Sequence, residues 1–230
     1  GIDHFIEKVI YGRYMEKSYI SSFCTHSQHG KYIMENGLLS MWKGPGKSNS
    51  RIAIIFDGDL LENNFDCFLK GKGAAYIGDM VIYNKYQDKT FKHLQPYFNE
   101  IKNFFNSLMR GPEEAKRYIE DEGVKISKSV LNTLSRIKHQ GFEEEDEYRF
   151  GIINVPDNKN ENRSNPFDEH LDEDGRRYIT LELNLLPTIN TIIIGPGKDQ
   201  KEIEGRINLL IDRLSEDINV KCSDTPYTDL

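Results

Sequence analysis

Hydrophobic positions along the chain recur with two periods, and the changes between them mark its elements. Ile2, Phe5, Ile6, Val9 and Ile10 fall at helical spacing, and the short aromatic run Tyr19-Ile20-Ser21-Ser22-Phe23-Cys24 suits a strand. The helical period is already running at Ile2, so the first helix is expected to extend upstream. Tyr32, Ile33, Leu38, Leu39, Met41 and Trp42 predict a short helical or irregular segment, stopped by Gly44-Pro45-Gly46. From Arg51 to Asp57 the chain is almost continuously apolar, which predicts a strand buried on both faces at the centre of a sheet. Ala75 to Tyr83 predicts a second strand, bent at Gly78.

Next comes a helical stretch. Leu94, Phe98, Ile101, Phe105 and Leu108 step along one helix face until Gly111-Pro112, and Ala115, Ile119, Ile126, Val130, Leu134 and Ile137 mark a second helix. Residues 91–140 therefore read as a helical insertion packed against the sheet. Through Lys138-His139-Gln140-Gly141-Phe142-Glu143-Glu144-Glu145-Asp146-Glu147-Tyr148-Arg149-Phe150 the helical pattern gives way to a strand that runs on to Val155. Residues 156–177 are polar and lack apolar periodicity, as expected of a mobile surface loop. Arg177 to Leu183 and Thr191 to Ile194 predict two more strands. The turn Gly195-Pro196-Gly197-Lys198-Asp199 leads into a helix carrying Ile203, Ile207, Leu210, Ile211 and Leu214, and Ile218 to Cys222 forms a last strand. The sum is one α+β domain over residues 1–230: a central mixed, mostly antiparallel sheet with flanking helices and an inserted helical pair.

Composition narrows the setting. A hydrophobic fraction of 37% with 11% aromatics can build a core. Thirty basic against 37 acidic residues give a net charge of −7 and a pI near 5.5, so the chain has no global attraction to nucleic acid or to an anionic membrane. Cys24, Cys67 and Cys222 are scattered and odd in number, which points away from a disulfide framework or zinc and toward a reducing cytoplasm. No apolar run approaches the length of a membrane helix, which needs about 20 residues.

The candidate chemistry lies in the acidic stretch. On a strand, Glu145, Glu147 and Arg149 share one face while Asp146, Tyr148 and Phe150 share the other. Two carboxylates that close raise each other's pKa unless Arg149 compensates, which is the setting of a general acid or base. The same charges also fit a solvated edge where nothing reacts. Alternatively, Asp57 with Glu145 and Glu147 could offer oxygen ligands to magnesium in a metal-dependent nuclease, although the lysine such a site wants is missing. His26 and His29 make no ligand cluster with cysteine, and Gly195 to Lys198 fits no phosphate-loop pattern.

Several motifs stand in an order that resembles the bacterial and phage domain of unknown function family 2971. Lys138, Phe142, Glu145, Glu147 and Arg149 reproduce a K-x-x-x-[FW]-x-x-E-x-E-x-R pattern. Ser22-Phe23-Cys24, Leu39-Ser40-Met41-Trp42, the strand from Arg51 to Asp57, Val81-Ile82-Tyr83 and Ile192-Ile193-Ile194-Gly195-Pro196 complete the set. One position departs: Pro45 stands where the family carries an aromatic, and the segment before Ser22 is shortened or replaced. The late E-x-E strand and the early serine strand also look similar to mono-ADP-ribosyltransferases, which have a split mixed sheet. That likeness implies an ADP-ribosyltransferase-like enzyme that consumes NAD in a bacterial conflict or phage-defence system, as a toxin or effector acting on a macromolecular acceptor. It implies Glu147 as the catalytic carboxylate, Glu145 as its helper on the same face as Arg149, and Ser22 as the strand hydroxyl. Trp42 would stack on a ring of NAD, and Arg51 would hold its pyrophosphate. A non-catalytic sensor or interaction module with a partner protein is the alternative to either enzyme.

Overall fold

The structure, a computed structural model, describes residues 18–25, 29–43, 51–72, 74–84, 95, 98–111, 113–114, 117–118, 122, 132–133, 135–154 and 167–226. The fold is α+β, and its strands are divided among several small sheets instead of one central sheet. The chain forms two compact units, residues 1–25 with 68–182 and residues 26–67 with 183–230.

The first unit is built on a three-stranded antiparallel sheet in the order β1 (Ser18–Cys24), β6 (Glu147–Asn154), β3 (Ala74–Met80). Its central strand β6 alternates in the period of two expected from the sequence. Tyr148 and Phe150 meet Phe23 and Tyr76 on one face, where the Phe23 and Phe150 rings pack edge to face at 5.1 Å. Ile152 joins Leu69 and Phe167 in a buried cluster nearby. On the opposite face the register puts Ser22 across from Arg149, and Arg149 across from Asp79. β3 breaks at Val81, not at Gly78, and β4 (Ile82–Asn84) pairs in parallel with β5 (Ile137–His139).

Two expectations for this unit change. The helix over 91–109 is seen as α4 (Phe98–Arg110), with Phe105 and Met109 exposed, but the proposed insertion ends in a strand: Ile137 to His139 belong to β5. Much of its second helix lies outside the described residues, as does the helix expected before Ser18. The segment expected as a loop over 156–177 ends in a hairpin. β7 (Glu169–Leu171) pairs with β8 (Arg177–Ile179) around a turn in which Asp172 Oδ1 accepts from the amides of Asp174 and Arg176. This local Asx-type bonding organises a polar segment that has no apolar period.

The second unit holds α1 (Lys31–Asn36), α2 (Leu39–Trp42), β2 (Ile52–Phe56), most of α3 (Gly58–Leu69), β9 (Ile189–Ile194), α5 (Gln200–Leu214) and β10 (Asn219–Cys222). Its sheet has the order β10-β9-β2, parallel between β9 and β10 and antiparallel between β9 and β2. A parallel pair needs a long crossover, and α5 provides it. The centre of this sheet is β9, whose Ile193 and Ile194 are 1% and 0% exposed. β2 stands at an edge among the described strands, with Ile52 and Ile54 exposed, so its apolar run does not mark a strand buried on both faces.

Trp42 fills the interior of this unit, 6% exposed, with its indole N–H donated to the Asn36 carbonyl at 2.9 Å. Gly37, at φ 77°, and Gly195 leave room for the ring, since a Cβ on either would lie 2.6 or 2.7 Å from it. Gly195→Ala would also bring a methyl to 3.1 Å from the Arg51 carbonyl oxygen. Overpacking of this kind costs about 1–3 kcal/mol. Urea unfolding of Gly195→Ala is expected to show a lower midpoint with an unchanged slope; an unchanged midpoint would mean that the indole has room to move.

Candidate functional site

The strand that carries the acidic motif begins at Glu147, not at Glu145. Gln140 to Glu145 form a 3-10 turn, and Asp146 takes the left-handed conformation at φ 43° between turn and strand. Thr25 supports that unusual backbone. Its amide donates to the Asp146 carbonyl at 2.9 Å, and its hydroxyl donates to the Asp146 carboxylate at 2.6 Å. Glu145 therefore reaches the site from a turn, while Glu147 and Arg149 reach it from one face of β6.

Lysine joins the two acids. Lys138 Nζ donates to Glu145 Oε2 at 2.7 Å and to Glu147 Oε2 at 2.8 Å, and it sits 4.9 Å from the centre of the Phe142 ring. Arg149 Nε donates to Glu147 Oε1 at 2.7 Å and its Nη2 to Oε2 at 3.3 Å, while its Nη1 donates to the Ser135 carbonyl. Ser22 adds a further side-chain hydrogen bond to the same carboxylate. Glu147 is 2% exposed, and its backbone is held as well: its amide donates to Tyr83 Oη and its carbonyl accepts from Val81, both at 2.8 Å.

Electrostatically, the cluster answers the question left by the sequence. Burial alone would raise the Glu147 pKa, but the hydrogen bonds from Arg149, Lys138 and Ser22 outweigh it and lower the value from 4.5 to about 2. Glu147 is a permanent carboxylate at neutral pH, so it neither gives nor takes a proton there. Burial pushes the Cys24 thiol up, helped by Glu145 and Glu147, which keeps it protonated.

The structure thus brings Ser22, Glu145, Glu147 and Arg149 together in the first unit. Trp42 and Arg51 belong to the second unit, where Trp42 packs in the interior and the Arg51 carbonyl accepts from the Gly195 amide at 2.7 Å. Asp57 also belongs to the second unit, and it caps α3: its Oδ1 accepts from the Leu60 amide at 3.0 Å. Among the described residues no group of three His, Cys, Asp or Glu side chains is placed to hold a metal ion.

Three supporting residues, Asp79, Ser135 and Arg136, escaped the sequence reading, and Tyr83 entered it only as part of a family motif. Tyr83 and Asp79 lie on predicted strands, but nothing in their spacing says that one would bind the Glu147 amide or that the other would stand opposite Arg149. Arg136 pairs with Asp79, and Ser135 receives Arg149 through its carbonyl, an atom every residue carries. Beside the cluster opens a cleft of about 300 Å³, lined by the segment from Asp79 to Tyr83 with Arg136 and Glu143.

Residues 41–150 match the family model of DUF2971, described as a protein of unknown function, which confirms the family resemblance carried by the motifs from Met41 to Arg149. The Ser22 and Ile192 motifs lie outside the matched stretch. No curated protein and no solved structure matches the chain.

Glu147→Gln would leave Lys138 and Arg149 without their shared counter-charge, a change that costs about 3–5 kcal/mol in a buried pair. A folded pKa below the ordinary 4.5 means that the stabilisation is complete above that pH and is lost as pH falls toward 2. Denaturant unfolding at neutral pH and at pH 3 is expected to show a much weaker pH dependence between the two for Glu147→Gln than for the wild type. Equal dependence in both proteins would place the acid-sensitive group elsewhere.

Proposed function

We propose that this DUF2971 chain is an ADP-ribosyltransferase-like enzyme that consumes NAD in a bacterial conflict system, as a toxin or phage-defence effector. The observation that supports the reading is the buried Glu147 carboxylate on β6, held as an anion by Arg149 Nε at 2.7 Å and Lys138 Nζ at 2.8 Å, with Ser22 of β1 in register across from Arg149. When nicotinamide leaves, positive charge spreads over the ribose carbon and ring oxygen. A fixed negative charge stabilises that state without moving a proton, and it acts more strongly away from bulk water. In this reading Glu147 supplies the charge, Arg149 positions it, and Glu145 orients the acceptor.

Access sets a condition on the mechanism. With Glu147 2% exposed, a ribose hydroxyl reaches the carboxylate only by taking the place of a present donor. Lys138 is the donor best able to yield: its side chain is long, 22% exposed, and retains Glu145 as a second partner.

The saturation of Glu147 favours a second reading, a non-catalytic sensor or interaction module in which the cluster only holds the sheet. Nicotinamide release from NAD, measured with and without host extract, separates the two. Under the enzymatic reading the wild type releases nicotinamide, and Glu147→Gln lowers the rate by more than about a hundredfold. Ser22→Ala, which leaves both ion pairs intact, is expected to lower it by more than about tenfold. Absence of release by a folded wild type, together with a stable partner in a pulldown, would support the module.

A further inference from the structure

The cleft beside the cluster carries two donors with hydrogen atoms to spare. Arg136 is 7% exposed, and its guanidinium is fixed by hydrogen bonds from Nε to the Asn132 carbonyl at 3.1 Å and from Nη1 to the Met80 carbonyl at 3.2 Å, with an ion pair to Asp79. Its Nη2 has no partner among the described residues. Tyr83 Oη accepts from the Glu147 amide at 2.8 Å, which leaves the O–H hydrogen without an acceptor among the described residues. Burial pushes that phenol above its ordinary value, so the hydrogen is retained at neutral pH.

The acceptors are of the opposite character. The Asp79 side chain is half exposed, and Glu143 is exposed. The cleft therefore holds one fixed cation and two carboxylates, and its field favours a cation over an anion. Val81 and Ile82, both buried, add an apolar wall. A volume of about 300 Å³ lies at the small end of ligand sites, which combine an apolar lining with a few placed polar groups.

We infer that this cleft binds a compact cationic molecule in which a protonated amine lies beside a carbonyl, as in an α-amino amide. The carbonyl accepts from Arg136 and Tyr83, the amine meets Glu143 and Asp79, and an apolar side chain covers Val81 and Ile82. Because Arg136 and Tyr83 are already held by other bonds, little side-chain freedom is lost on binding. The site uses neither the Glu147 carboxylate nor NAD, so it stands or falls apart from the enzymatic reading.

Amide chemical shifts of the full 230-residue chain, followed during titration with L-leucinamide, test it. Saturable shifts centred on Asp79 to Tyr83 and Glu143 are expected, with a Kd on the order of 1 mM. Glu143→Gln, an exposed substitution outside the ion cluster, is expected to weaken leucinamide at least threefold, and the anion N-acetyl-L-leucine is expected to give no saturable shift. Any of three results would overturn the inference: no saturation by leucinamide at about twenty times that Kd, equal affinity in Glu143→Gln, or equally tight binding of N-acetyl-L-leucine.

Discussion

A single carboxylate shared between two cations organises the first unit. Glu147 receives Lys138 from β5, Arg149 from its own strand and Ser22 from β1, and Lys138 in turn draws in Glu145 from the 3-10 turn. Two acids and two bases cancel in charge. A buried group of this kind is not in itself strong evidence of high stability, because removing the ions from water offsets much of their attraction. Its larger effect is on register. Shifting β6 by one residue would carry Glu147 and Arg149 to the aromatic face and place Tyr148 and Phe150 among the charges.

The same arrangement restricts the chemistry available. While Arg149, Lys138 and Ser22 all hold it, a pKa near 2 keeps Glu147 out of general acid or base catalysis at neutral pH. A fixed negative charge beside a strand hydroxyl remains, and electrostatic stabilisation of a cationic transition state is the catalytic use open to it. Function and structure would then draw on one set of bonds, since a donor that yields to a substrate also loosens the contact that sets the register.

In the second unit the organising group is an aromatic ring with its surrounding polar bonds. Trp42 occupies the space left by Gly37 and Gly195 and gives its N–H to the Asn36 carbonyl. That carbonyl also accepts from Ser223 at 2.6 Å, while Asn36 Oδ1 accepts from the Asp224 amide at 2.7 Å. The chain after β10 is thereby tied to α1. Each polar atom in this buried set has a partner, which is the condition for holding polar groups away from water.

By itself the sequence determined the local elements, because their signals are local. The period-two alternation of Tyr148, Arg149 and Phe150 placed β6, the isoleucines of 191–194 placed β9, and Gly195-Pro196-Gly197 placed the turn before α5. It also singled out Glu147 with Arg149 as candidates, and the ordered motifs from Met41 to Arg149 carried the resemblance to the family whose model matches residues 41–150. Tertiary structure decided how those elements combine. Two apolar runs of similar composition became an edge strand, β2, and a central strand, β9, because position in a sheet depends on which strands pair on either side. Whether Glu147 would be a titrating acid or a permanent anion turned first on Arg149, whose place two residues on the spacing already showed, and then on Lys138, nine residues away, and Ser22, more than a hundred residues away. Electrostatic energy depends on distance and burial in space, and neither is written in residue spacing once the chain has turned.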